Sequence, residues 1–131
     1  MPVHIPKEHY VENKHEYMPN AYHHPKIQHN DHADGTESYL LPDVLAMQNG
    51  AEITARYPGP CIYYVTEGEI QYEDTKIPGN ITVLRKGDVI HVEEGSLIRW
   101  MCKSPTGVKG FGVAYVPVSV KFINDFVVTD Q

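Results

Sequence analysis

The side chains that could do chemistry in this sequence are tyrosine, cysteine and histidine, and they are unevenly spread. Seven of the eight histidines fall in the first 32 of 131 residues, which leaves His91 alone in the remainder. Imidazole titrates near neutral pH, so His91 is the natural general acid or base of that remainder. Tyr57 precedes the run "CIYYVT" and Tyr63 lies within it. A buried phenol needs a hydrogen-bond partner, and in a cleft it can donate a proton or hold a developing oxyanion. Cys61 would be a nucleophile only beside a base or cation that lowers its pKa. Its neighbours Pro60 and Ile62 supply neither, so an inert buried thiol is favoured. His23, His24, His29 and His32 crowd into "HHPKIQHNDH". Such a run can bind Zn²⁺ or Ni²⁺, or close a site by folding over its mouth. No two of these histidines have the spacing of a site on a rigid element, and the reading is a solvated, mobile arm.

The elements that must position these groups are short strands. Residues 1–36 are polar, and Pro2, Pro6, Pro19 and Pro25 interrupt any helix, so this segment reads as an irregular His-rich arm. An arm of that length is either disordered or laid across a surface, such as that of a second subunit. "SYLLPDVLAMQ" fits a short helical turn or an edge strand carrying Pro42. From Gly50 onward, alternating runs are separated by turn residues. "AEITARY" is broken by "PGP", and "CIYYVT" turns at Glu67-Gly68 into "EIQYED". "ITVLR", "VIHV", "SLIRWMC" and "GFGVAYVPVSVKFINDFVV" follow, divided by "KGD", "EEG" and "SPTG". Seven or eight strands with almost no helix predict an all-β jelly roll over residues 37–131.

Composition excludes some functions. The formal net charge of −6 and the lack of Lys/Arg clusters argue against nucleic acid as a partner. No run approaches the roughly 18–20 apolar residues of a membrane span, and the N-terminus lacks an apolar signal core. Cys61 and Cys102 sit in apolar strand-like runs and read as buried thiols. A soluble cytoplasmic protein suits them.

"YYVTEGEIQYED" followed by "ITVLRKGDVIHVEEGSLIRW" resembles the paired core motifs of the cupin superfamily. The likeness is nearest to the small single-domain cupins of the ethanolamine-utilisation and ectoine-synthase type. It covers roughly residues 50–117, and its most specific part is "EGE" with "KGDVIHVEEGS" at the right separation. The resemblance implies a cupin-like jelly-roll β-barrel. It also implies metal-ligand positions, usually three histidines and a glutamate, which here fall near Tyr57, Gly59, Cys61 and Ile98. These residues are not a usual ligand set, so no metal and no cofactor are expected.

Placing Cys61 at the glutamate position turns Tyr63 and Val65 to the same inner face, with Ile98, Trp100 and Cys102 opposite. Cys61, Val65, Ile98, Trp100 and Cys102 are the expected substrate-binding set, although filling a core is the simpler role for Val65, Ile98 and Cys102. The resemblance places Ile90 inward and His91 outward, against a catalytic role for His91. Arg56 and Arg99 could grip a carboxylate if inward, but exposed positions suit them better.

The resulting expectation is a metal-independent enzyme, a lyase, isomerase or cyclase, acting on a small aromatic or polyketide-like molecule. Tyr57, Tyr63 and His91, or an arm histidine in place of His91, would supply the acid–base chemistry. The alternatives are a metalloenzyme with unorthodox His/Cys ligands and a non-catalytic small-molecule-binding module. A homodimer is expected as well, since a partner surface accounts for the arm.

Overall fold

The computed structural model describes residues 4–11, 14–24, 37–120 and 123–128. A short helix, α1 (Lys7–Val11), precedes the strands β1 (His15–Met18), β2 (Ala21–His23), β3 (Ser38–Met47), β4 (Glu52–Arg56) and β5 (Cys61–Asp74). β6 (Ile81–Arg85), β7 (Val89–Val92), β8 (Leu97–Met101) and β9 (Val108–Pro117) follow, and a 3₁₀ turn, Ile123–Phe126, comes last. Every strand pairing is antiparallel. One sheet runs β1-β2-β3-β9-β5-β7 and the other β6-β5-β8-β4. The result is the expected all-β jelly roll. Its inner faces carry the core, including Leu41, Val65, Trp100 and Val116.

β5 belongs to both sheets. Glu67-Gly68, read from sequence as a turn between two strands, is instead a bend within one strand. The register with β9 shifts between Val65 and Glu67, and Gly68 adopts φ 75°. A Cβ at Gly68 would lie 2.0 Å from the Gly107 carbonyl oxygen, so only glycine fits there. A bulge with a positive-φ glycine lets one strand leave the first sheet and enter the second.

"SYLLPDVLAM" resolves as strand β3, paired with β9 along its whole length, from Ser38↔Pro117 to Met47↔Val108. Pro42 is tolerated for a reason visible in the ladder. The Val44 carbonyl accepts from the His24 amide on the β2 side. Pro42 shares that parity, and the β2 pairing covers only Leu45 to Met47. The missing N–H therefore falls where, among the described residues, no strand pairs.

The described part of the N-terminal segment, residues 4–11 and 14–24, is more ordered than an irregular arm. His15–Met18 and Ala21–His23 form a hairpin that extends the first sheet past β3. Pro19 does not break the structure; it sits in the turn, next to Asn20 at φ 64°. The hairpin lies on this chain's own β3, so a partner surface is not needed to account for it.

Candidate active site

Strand alternation aims Tyr63 and Val65 of β5, Trp100 of β8 and Tyr57, just after β4, into the space between the sheets. There they line a cavity of about 80 Å³ together with Tyr17 from the hairpin and Phe126 from the C-terminal turn. The lining is almost wholly aromatic and aliphatic. Its polar side chains are the tyrosine hydroxyls, one indole N–H and Lys109, whose ammonium lies 3.7 Å from Glu67.

The indole and two of the hydroxyls form a chain. The Trp100 Nε1–H donates to the Tyr57 hydroxyl at 2.9 Å, and the Tyr57 and Tyr63 hydroxyls lie 2.9 Å apart. Tyr57 is 1% exposed, and its proton needs an acceptor within the barrel. Its oxygen already accepts from Trp100, so donation to Tyr63 satisfies it. That order makes Tyr63, which lines the cavity and is only partly buried, the last phenol of the chain, with the Cys61 thiol also within its hydrogen-bond reach. The rings support this arrangement: Tyr63 meets Trp100 edge-on at 5.5 Å between centroids, and Phe126 meets Tyr57 at 5.3 Å.

All of these acids are held in the protonated form. Burial raises the Tyr57, Tyr63 and Tyr17 phenols above the ordinary tyrosine range. For Tyr17 the Asp43 carboxylate adds to the effect of burial. Burial also pushes the Cys61 thiol up to about 12, although hydrogen bonding to Tyr63 pulls the other way. Cys61 is a neutral thiol at physiological pH and no nucleophile. The array donates hydrogen bonds and cannot act as a base.

An imidazole lies behind one wall. His23 and Asp43 are both fully buried, with Nδ1 and Oδ2 3.3 Å apart, and the Tyr17 ring stands edge-on to His23 at 5.1 Å. The Asp43 Oδ1 also accepts the His24 amide at 3.3 Å. His24 is buried too, its Nδ1 2.6 Å from the Tyr10 carbonyl oxygen. These two histidines are therefore not part of a solvated arm. His29 and His32 lie outside the described residues.

Several expected site residues sit elsewhere. His91 is exposed; it pairs with the equally exposed Ile62 on the outer face of the first sheet, because Ile90 takes the inward position. It cannot serve the barrel interior. Cys61, Ile98 and Cys102 are buried but do not line the cavity. Cys61 lies beside Tyr63, Ile98 fills the core of the second sheet, and the Cys102 thiol faces the Met47 carbonyl oxygen at 3.6 Å. Arg56 is exposed, and Arg99 pairs with Glu73 at 3.2 Å and Glu52 at 3.4 Å. Neither arginine reaches the cavity.

The sequence reading missed Tyr17 and Asp43, and it placed His23 in a solvated arm rather than buried behind the cavity wall. "HEYMPNAYH" does carry the alternation and turn residues of a hairpin, but so short a strand pair is stable only on an existing sheet edge. The four positions where cupins hold metal carry Tyr57, Gly59, Cys61 and Ile98. Tyr57 is committed to two hydrogen bonds, Cys61 is a neutral thiol, and glycine and isoleucine offer no donor. Among the described residues no three His, Cys, Asp or Glu side chains converge. The residues present do not fit a cupin metal.

An antiparallel jelly roll around an apolar cavity defines the class, and comparison with solved structures narrows it. No family model matches the chain, and neither does any curated protein. An RmlC-like cupin from Shewanella frigidimarina superposes with a TM-score of 0.61 at 18% identity, covering 85% of this chain and 87% of its own. The polyketide cyclase RemF from Streptomyces resistomycificus gives 0.58 at 14% identity, over 73% and 65%. A Salmonella typhimurium protein assigned to ethanolamine utilization gives 0.55 at 22% identity, over 74% and 70%. The chain has the RmlC-like cupin fold.

Proposed function

We propose that the protein is a metal-independent cupin enzyme, a lyase, isomerase or cyclase that moves protons on a small carbonyl-bearing aromatic or polyketide-like molecule. The Trp100–Tyr57–Tyr63 chain on an apolar cavity is the observation that carries this reading. A neutral phenol, itself polarised by a phenol and an indole behind it, stabilises negative charge developing on a carbonyl oxygen. The substrate's acidic carbon then gives up its proton more readily. The nearest imidazole, His23 backed by Asp43, stands behind the cavity-lining Tyr17 and does not itself line the cavity, so it takes that proton through a bridging water. A polyketide cyclase of the same fold supports the substrate class.

Size limits the substrate. Ligand sites usually measure about 300–1,000 Å³, against about 80 Å³ here. Phe126 and Val127 separate this cavity from an outer groove of about 500 Å³ that also touches Tyr57. The closed barrel therefore suits a single ring, and a longer chain must extend past Phe126.

Trp100 is the only tryptophan and lines the cavity, so its emission reports occupancy. The test titrates hydroxylated aromatic ketones of one to three rings against that emission and follows the binders by mass spectrometry for isomerisation, cyclisation or loss of water or CO₂. Turnover should fall about 10²–10³-fold in Tyr63→Phe, as for loss of one oxyanion donor. Tyr57→Phe should lower it as well, and His23→Gln should abolish it. Binding without turnover in the unaltered protein, or turnover indifferent to Tyr57→Phe and Tyr63→Phe, would overturn the reading.

A further inference from the structure

The cavity and the outer groove share one wall. Tyr57, Phe126 and Val127 line both, and Phe126 is buried with its ring edge-on to Tyr57. The opposite side of the groove is pinned by hydrogen bonds. The Gly95 amide donates to the Tyr57 carbonyl at 2.8 Å, and the Tyr57 amide donates to the Ser96 carbonyl at 3.0 Å. The Tyr39 hydroxyl donates to the Val120 carbonyl at 2.7 Å. On the Phe126 side, the ties to β4 follow it in sequence: the Ala55↔Val127 bridge and the Val128 amide on the Thr54 carbonyl. Turning the Phe126 ring to another rotamer breaks none of these bonds.

We infer that Phe126 sets the length of ligand the barrel accepts, and that the groove is the second half of a site for an elongated, hydroxylated aromatic carbonyl compound. The carbonyl part of that class rests on the role proposed for the Trp100–Tyr57–Tyr63 chain. The carbonyl-bearing ring occupies the barrel at Tyr63, and the further rings displace Phe126 and lie in the groove. A ligand ring in that place recovers the edge-on contact with Tyr57 that Phe126 gives up. The groove brings the site into the usual range of about 300–1,000 Å³, which the cavity alone does not reach. Pro58, Val120 and Val128 give the groove apolar walls for flat rings. Its charged groups are the exposed Arg56, Glu94 and Asp125. Two carboxylates against one guanidinium repel an acid and accept hydrogen bonds from hydroxyls. The outer rings therefore carry hydroxyl groups rather than a carboxylate.

Calorimetric titration of the full chain with a one-ring probe, dihydroxyacetophenone, and a three-ring probe, dihydroxyanthraquinone, tests this. A minor conformer is typically about 0.1–10% populated, so removing the ring that must leave should tighten the three-ring probe at least about tenfold. Phe126→Ala should show that gain. Phe126→Leu, which keeps an apolar side chain in the wall, should show a smaller gain of the same sign. Val128→Trp, which fills the groove from an exposed position, should weaken the three-ring probe alone. In all three variants the one-ring probe should stay within about threefold of its affinity for the unaltered chain. A carboxylate on an outer ring of the anthraquinone should weaken binding. The inference is overturned if the three-ring probe binds the unaltered chain and both Phe126 variants alike, or binds none of them. It is also overturned if Val128→Trp weakens both probes equally, or if the added carboxylate tightens binding. Turnover is read separately. Size selection by Phe126 without turnover would remove the enzyme and leave the two-part site, whereas turnover without size selection would do the reverse.

Discussion

Tyr57 shows how one buried hydroxyl can be both structural and functional. It accepts from Trp100 and lies against Tyr63, so removing its oxygen strands an indole N–H and shortens the donor chain at once. The same burial has a consequence for alkali stability. Cys61 ionises near 9 when exposed and near 12 here, and Tyr17, Tyr57 and Tyr63 are likewise raised above 10. These are acids whose native pKa lies above the unfolded value, so above about pH 9 the unfolded chain has lost protons that the native one retains. Stability is full below that pH and falls as pH rises, by about 1.4 kcal/mol per pH unit for each group within its window. Thermal melts at pH 7, 9 and 10.5 should show little change over the first step and a marked drop over the second. A flat profile to pH 10.5 would show that these groups ionise as freely in the native barrel as in the unfolded chain.

Elements decide whether the donor chain assembles, and here sequence legibility divides. Alternation and turn residues from Gly50 onward made the strands readable, because each strand there is half-buried and reports its two faces. The parity of Tyr63, Val65 and Trp100 followed from it. The bend at Glu67-Gly68 looked like a turn, since a bulge and a turn draw on the same positive-φ glycine. Asp43 and His23 were hidden for a different reason. Their burial depends on pairing β3 with a three-residue strand that has no stability of its own. β9 makes a further contribution through Gly112, which pairs with Tyr63 on one side and Asp43 on the other. A Cβ there would lie 2.4 Å and 2.6 Å from two ring carbons of Tyr63, so the missing side chain is what lets the phenol lie flat toward Tyr57. Gly112→Ala should cost about 1–3 kcal/mol, in the range of overpacking substitutions. It should also shift Trp100 emission by moving the ring packed on it, as read from a urea titration followed by fluorescence. An unchanged midpoint and spectrum would mean that the ring has room to yield.

At the scale of the whole molecule, the barrel is closed by both ends of the chain. The C-terminal turn is tied to β4 by the Ala55↔Val127 bridge and by the Val128 amide donating to the Thr54 carbonyl at 2.7 Å, which sets Phe126 over Tyr57. Across the barrel, the N-terminal hairpin brings Tyr17 to the cavity and His23 to Asp43. No helix among the described residues is long and apolar enough to cross a membrane. A chain beginning at Glu37 tests the dependence. It would lack His23 and the His24 amide, the contacts made to the Asp43 carboxyl within the hairpin segment, and it would bare the edge of β3. Taking away the hydrogen-bond partners of a buried acceptor typically costs about 1–3 kcal/mol, and more when the group is charged. The truncated chain should therefore unfold at clearly lower urea than the full one. Asp43→Asn should destabilise the full chain yet partly restore the truncated one, since it removes a charge that has lost its histidine. Such a change of sign between backgrounds is a coupling that independent sites do not show. Equal urea midpoints for the two chains, or the same sign of the Asp43→Asn effect in both, would mean that the hairpin merely decorates a barrel already complete without it.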